Sequence, residues 1–382
     1  MKIIGYLIFS FFYHIFLICR AKDKKVCCIM HHDSSRDSNV GMVIQYLRKI
    51  SDEYEFTYIT KREVNGIKGK GMIKNFIPFF ITKSYHLATS NYVLLDDAFL
   101  PIAYLKFRKG VKVIQLWHGT GTIKKFGQDA NTGRLKKLEY KINQNITHLI
   151  VNSSKIIDQY SKAFGVSKNK VYPLGLPRTD TLFQTKKLEK EIAGFYENYP
   201  ELKGKKILLY APTFRDAEIE NPKVHLDYGK LIEGISKDWV LILKLHPFVA
   251  NAFQLSEVEK EKFYGRLYDF SYYPDLNALM GASDILVTDY SSIIFEYCLQ
   301  NKPMIFYAYD LEEFSNHGRG FYEPYEEYVP GPIAHNTDDL INIINQDTYD
   351  MERIAKFKED NFEYLDGQST KRLVDKLFLN EF

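Results

Sequence analysis

The chain has 382 residues, 45% of them hydrophobic, and its 51 Lys+Arg against 48 Asp+Glu leave a formal net charge of +3. That length suits two domains of ordinary size after a short leader, and that apolar share supports a sizeable core, which excludes wholesale disorder. Near-cancelling charge excludes a dedicated nucleic-acid binder, and Cys19, Cys27, Cys28 and Cys298 have neither metal-ligand nor disulfide-framework spacing, as in a protein of a reducing compartment.

Residues 3–19 contain no Asp, Glu, Lys or Arg, and Arg20, Lys22, Lys24 and Lys25 follow. As a helix this stretch spans about 25 Å, marginally short of a ~30 Å hydrocarbon core. No small-x-small cleavage site follows it. Residues 1–20 therefore read as a membrane-associating helix, crossing once or lying in the interface, with the basic residues holding the body on the cytoplasmic face. The alternative is an ordinary helix packed on the globular body.

Beyond it, short apolar strands alternate with helices. Strands are expected at residues 25–30, 55–59, 92–95, 111–116, 147–151 and 170–172, with helices at 41–50 and 155–164. Residues 65–74, rich in Gly and Lys, read as an exposed basic loop leading into a helix, with Lys68, Lys70 and Lys74 as a basic patch. The charged helical pattern at 185–204 is where the interdomain connection is expected. A second series follows: strands at 206–210, 240–245, 285–288 and 304–307, helices at 228–235, 275–280, 292–300 and 337–345, and a helical tail from 349. Two such halves make an α/β chain of two Rossmann-like domains facing a cleft, the usual place for a small-molecule site. The boundaries are 21–190 and 200–382.

Polar clusters sit at the carboxyl ends of four strands, where ligands bind in open parallel sheets. The first is Trp117-His118-Gly119-Thr120, in which glycine lets backbone approach a ligand and His118 suits a general base toward a hydroxyl. The second, Ala211-Pro212-Thr213-Phe214-Arg215, ends on a guanidinium suited to phosphate, or paired with an acid such as Asp216. The third is His246-Pro247, where the proline fixes the turn and a donor imidazole would bond a phosphate oxygen, or simply backbone. Lys244, on the same strand face, reads as a snorkelling residue rather than a ligand contact.

The fourth cluster, Asp289-Tyr290-Ser291-Ser292, opens a helix whose free N–H groups and dipole attract an anion. Glu296 lies too deep for a capping box and reads either as a ribose-binding acid or as a surface charge. Arg178 in Gly175–Asp180 repeats the phosphate logic, and Arg319 opens an aromatic, Gly/Pro-containing stretch to Pro332 that reads as a lid or a long surface loop. No Walker loop, G-x-G-x-x-G or D-x-D occurs, so His, Arg and helix dipole, with no metal or cofactor, are expected to meet the phosphate charge.

With these residues, and with Leu116–Thr120, Gly175–Asp180, Ala211–Asp216, Lys244–Pro247, Thr288–Ser292 and Arg319–Tyr322 in the same order, the chain resembles the CDP-glycerol glycerophosphotransferase family of teichoic acid primases and polymerases. The resemblance implies a glycosyltransferase-B-like fold, with 21–190 taking the acceptor and 200–382 the CDP-donor. It implies transfer of a polyol phosphate, glycerol phosphate first among the candidates, to a hydroxyl of a lipid-linked or glycan acceptor at the cytoplasmic membrane face, releasing CMP. His118 would be the base and His246 would bind the donor pyrophosphate. Thr213, Arg215, Ser291 and Ser292 would hold phosphate, with Asp289 orienting the loop. Gly119, Thr120, Arg178, Glu296 and Arg319 are further candidates. A nucleotide-sugar glycosyltransferase of the same fold and a non-catalytic glycan-binding subunit are the alternatives.

Overall fold

In the computed structural model, which describes residues 2–67, 72–215, 218 and 220–381, the strands form two separate parallel sheets. The first contains β1 (Lys22–Met30), β2 (Glu55–Thr60), β3 (Ser90–Leu95), β4 (Lys112–Gln115), β5 (His148–Val151) and β6 (Val171–Pro173) in the order β2-β1-β3-β4-β5-β6. The second contains β7 (Lys206–Tyr210), β8 (Trp239–Leu243), β9 (Leu267–Asp269), β10 (Ile285–Thr288), β11 (Met304–Tyr307) and β12 (Ile333–Ala334) in the order β12-β11-β10-β7-β8-β9. Strands of a parallel sheet covered on both faces are continuous apolar runs rather than alternating ones. Val26–Met30 and Trp239–Leu243 are buried at every position for that reason.

Each strand order reverses once, between β1 and β3 in the first sheet and between β7 and β10 in the second. Such switch points leave a crevice beyond the carboxyl ends of the flanking strands. The loops that open there are residues 31–38 and 96–99 in one sheet, and 211–215 and 289–292 in the other.

The chain divides into two units, 1–121, 125–181 and 361–382 against 122–124 and 182–360. These bounds differ from the expected 21–190 and 200–382 in three ways. The helix Thr185–Asn198 belongs wholly to the second unit, because Leu188 and Phe195 bury there and Ile192 packs against Gly281, leaving no room for a Cβ at that glycine. The tail returns to the first unit. Asp180 accepts hydrogen bonds from the N–H groups of Ser369 and Thr370, and Leu373, Val374, Leu377 and Phe378 enter the first core. Third, residues 1–20 are not a segment apart.

The helix at Lys2–Phe16 has 15 residues and buries Phe9 and Tyr13 among Phe79, Phe99 and Phe107. Arg108 hydrogen-bonds the carbonyls of Leu17 and Cys19 just beyond it. At about 22 Å it is too short for a hydrocarbon core, and among the described residues no helix is long and apolar enough to cross a membrane. The crossing reading of this stretch is thereby overturned. Its outward face nonetheless carries Ile4, Leu7, Phe11 and Ile15, all exposed.

Several elements were not foreseen. The capping box Thr60–Glu63 starts a helix Lys61–Gly66, which only reaches the first residues of the expected 65–74 loop, and Gly133–Asn143 is helical. Lys68 and Lys70 lie outside the described residues; Lys74 is exposed.

Candidate functional site

In the first unit the loops after β1, β3 and β4 converge on His118. Asp96, 2% exposed, accepts hydrogen bonds from the backbone N–H groups of His31 (2.8 Å), His32 (3.1 Å) and Asp33 (2.9 Å), which fixes the β1 loop to the end of β3. Burial raises its carboxyl above the usual range, against the pull of those three amides. Its own carbonyl lies 3.0 Å from His118 Nδ1. A carbonyl only accepts, so Nδ1 carries the proton and Nε2 of the neutral ring presents a lone pair.

Two rings have centroids 4.0 Å from that of His118: Trp117, tilted by 32°, and His32, stacked at 13°. Trp117 adopts φ 56°, a left-handed conformation costly for a bulky residue. It is held there by Gln115, which accepts from its N–H at 2.9 Å, and by Asn39, which donates to its carbonyl at 3.1 Å. Asn39 also accepts from the Arg178 N–H at 2.9 Å, and the Arg178 guanidinium donates to the His118 carbonyl at 3.2 Å. His118 and Arg178, singled out separately in sequence, are thus neighbours. Gly119 has ordinary clearance at 3.6 Å for a Cβ and no positive φ, so the special backbone of this loop is at Trp117 instead. Thr120 is buried.

Asp97 completes the group. Burial would raise its carboxyl, but His31, His118 and the Ala98 N–H together hold it below the usual range. Although His32 is exposed overall, desolvation and the adjacent His118 push its imidazole down to about 4. Ligand atoms of His32, Asp97 and His118 all lie within 4.8 Å of one another.

In the second unit Asp289 plays the part Asp96 plays in the first. It accepts from the N–H groups of Thr213 (2.8 Å) and Tyr290 (2.6 Å), tying the β7 loop to the β10 loop. Arg215 departs from the phosphate-contact expectation. Its guanidinium pairs with Asp310 through Nε (2.6 Å) and Nη2 (2.9 Å), and donates from Nη1 to Asp289 (2.8 Å) and to the Thr213 carbonyl (2.7 Å). The rings of Tyr290, Tyr309 and Phe314 surround it at 5.0–5.4 Å. The ion-pair alternative describes this residue, with Asp289 and Asp310 as partners; Asp216 lies outside the described residues.

His246 caps the helix Pro247–Ala250, its Nδ1 accepting from the Phe248 N–H at 3.3 Å. Nε2 then carries the proton of the neutral ring and is a donor. Desolvation and the charge of Lys124 lower its pKa, favouring that neutral form, and Phe214 stacks on it at 4.3 Å. Lys244 does not reach outward but donates to the carbonyls of Ser271 and Tyr273. Ser292 is exposed and makes no cap, while Ser291 Oγ accepts from the Ile293 N–H at 3.4 Å. The α-helix behind them runs only Ile293–Tyr297, shorter than expected, continuing as a 3-10 turn.

Glu296 is 7% exposed, which removes the surface-charge reading. Arg319 is exposed; the stretch after it is anchored rather than loose, since Tyr325 donates to the Asp289 carbonyl at 2.9 Å and Phe321 packs on Tyr290.

Sequence reasoning missed His32, Asn39, Asp96, Asp97 and Asp310. The signal for most was available: Met30 is followed by His-His-Asp and Leu95 by Asp-Asp, polar clusters at strand ends like the four that were noticed.

Residues 11–379 match the family model of CDP-Glycerol:Poly(glycerophosphate) glycerophosphotransferase. Among relatives, the chain is 34% identical over 97% of its length to the teichoic acid poly(ribitol-phosphate) polymerase of Bacillus spizizenii, of which it spans 58%. It is also 34% identical over 94% of its length to the teichoic acid ribitol-phosphate primase of the same organism, of which it spans 91%. The fold superposes on that of a variant of the wall teichoic acid polymerase TagF with a TM-score of 0.78, covering 98% of this chain and 94% of that one at 21% identity.

Proposed function

Since this chain belongs to the CDP-glycerol:poly(glycerophosphate) glycerophosphotransferase family, we propose that it transfers a polyol phosphate from a CDP-activated donor to a hydroxyl of a teichoic-acid-type acceptor, releasing CMP. The observation that carries this reading is the His118 tautomer, whose Nε2 lone pair is free to take a proton. The acceptor oxygen attacks the donor phosphorus that bears the polyol, and its proton passes to His118 Nε2. The new O–P bond forms as the P–O bond of the pyrophosphate breaks, and CMP leaves with the bridging oxygen.

On the donor side, His246 Nε2–H and the hydroxyls of Ser291 and Ser292 would donate to pyrophosphate oxygens, with Glu296 on the ribose and Arg319 as a further phosphate contact; Arg178, beside His118 in the first unit, is a phosphate candidate there. Thr213 and Asp289 form the loop pair that receives the donor, and Arg215 holds that pair in shape rather than touching phosphate. Glycerol phosphate and ribitol phosphate are both supported as cargo, the first by the family model and the second by the two relatives. The ribitol-phosphate primase, matched over most of its length, favours a primase-like transfer, and the acceptor in this reading is lipid-linked. Such an enzyme would sit peripherally at the cytoplasmic membrane face through the exposed apolar side of the helix Lys2–Phe16.

The purified chain incubated with CDP-glycerol, CDP-ribitol and UDP-sugars should release CMP only with a CDP-polyol and an acceptor, forming a phosphodiester. His118→Ala should lower turnover at least ~100-fold. A glycosidic product, or wild-type turnover in that variant, would overturn the reading.

A further inference from the structure

We propose that His32 is a positioning residue for His118, a ring stacked on the base that fixes its plane. This deepens the proposed function and rests on His118 being the base.

Three observations converge. The two imidazoles are stacked at 4.0 Å and 13°, and Trp117 lies equally near at 32°, so packed rings resist rotation of the His118 plane. The backbone under His32 is not free to drift, because the N–H groups of His31, His32 and Asp33 all bond the Asp96 carboxylate, and the same residue's carbonyl holds His118 Nδ1. One residue thus sets both rings. Third, desolvation first, then His118 and Arg178, lower the proton affinity of His32 against the pull of Asp97 and Asp33, which suits a neutral plate. A neutral aromatic face beside an imidazolium is attractive, whereas a second cation there would oppose proton uptake.

A shared metal ion is the competing use of His32, Asp97 and His118. It fits the rings poorly as they stand. Stacked, near-parallel rings keep their lone pairs in two separate planes, so an ion at the usual 2.0–2.1 Å from both nitrogens would lie out of at least one of them.

The test compares His32→Ala and His32→Phe in the full chain, each also combined with His118→Ala, after thermal melts of all variants. His32→Ala should lower kcat about 10-fold or more, the scale of a misplaced catalytic group, with KM for the CDP-polyol donor within about 2-fold. His32→Phe, which keeps a ring but no nitrogen, should recover kcat to within about 3-fold of wild type. In the His118→Ala background neither should matter further. A Phe variant as slow as the Ala variant would mean that the His32 nitrogen itself is required, and would overturn the proposal. So would wild-type kcat in His32→Ala, or EDTA inactivation reversed by Zn²⁺ in the wild type and lost in both His32 variants. Undiminished turnover in His118→Ala alone would instead remove the base assignment, whatever His32 does.

Discussion

Arg215 shows how a residue type suggests one role and its surroundings assign another. A guanidinium near a strand end in a phosphate-handling chain invites a phosphate contact. Yet its donors are engaged by Asp310, Asp289 and the Thr213 carbonyl, and three aromatic rings close around it. Its side chain is 10% exposed and that of Asp289 2%. Removing one member of a buried ion pair leaves uncompensated charge and costs about 3–5 kcal/mol. Arg215→Ala should therefore lower unfolding free energy by about that amount in urea titration. A variant with wild-type stability and only a weakened donor KM would return Arg215 to the role of a phosphate contact. Sequence alone could not decide this, because Asp310 is 95 residues away and only the β10–β11 arrangement brings it to the β7 loop. His118 was legible for the opposite reason: its role depends on being the polar residue just past an apolar strand, which is local information.

At the scale of elements, the helix Lys2–Phe16 presents two faces with separate consequences. Phe9 and Tyr13, four apart, point into the first unit's core, and Ile4, Leu7, Phe11 and Ile15 recur at helical spacing on the exposed side. An exposed stripe of this kind is typical of a helix lying in a membrane interface. The charge-free stretch was plain in the sequence, but its division into faces was not, because almost every position is apolar and the moment is set by what packs beneath. Phe11→Glu should abolish co-sedimentation with anionic vesicles while leaving the melting temperature unchanged. Phe9→Ala should do the reverse, costing about 3–5 kcal/mol with vesicle binding intact. Equal vesicle binding by wild type and Phe11→Glu would assign the stripe no membrane role.

For the molecule as a whole, one device occurs twice. At each switch point an Asp just past the strand, Asp96 after β3 and Asp289 after β10, binds the backbone amides of the loop that follows the neighbouring strand, β1 or β7. The alternation of strands and helices that reveals two doubly wound sheets is periodic and hence readable. Strand order is not, since it depends on which strands pair, and so nothing in the sequence marked the His-His-Asp and Asp-Asp clusters as the switch point of the first sheet.

The unit boundaries escaped for a related reason. A tail with helical spacing carries no mark of the core it joins; the Asp180 clamp on Ser369 and Thr370, the Arg372 bond to the Leu174 carbonyl and the Lys112 bond to the Leu377 carbonyl hold it to the first unit. Leu373, fully buried in that core, provides a test. Leu373→Ala should cost about 2–5 kcal/mol, and the loss should be confined to the first unit. Hydrogen exchange should quicken at Val26–Met30 and Val93–Leu95 while protection at Ile207–Tyr210 and Leu241–Leu243 is retained. Uniform loss across both sheets would show that the two units unfold as one, and that the tail's return is a property of the whole chain rather than of the first unit.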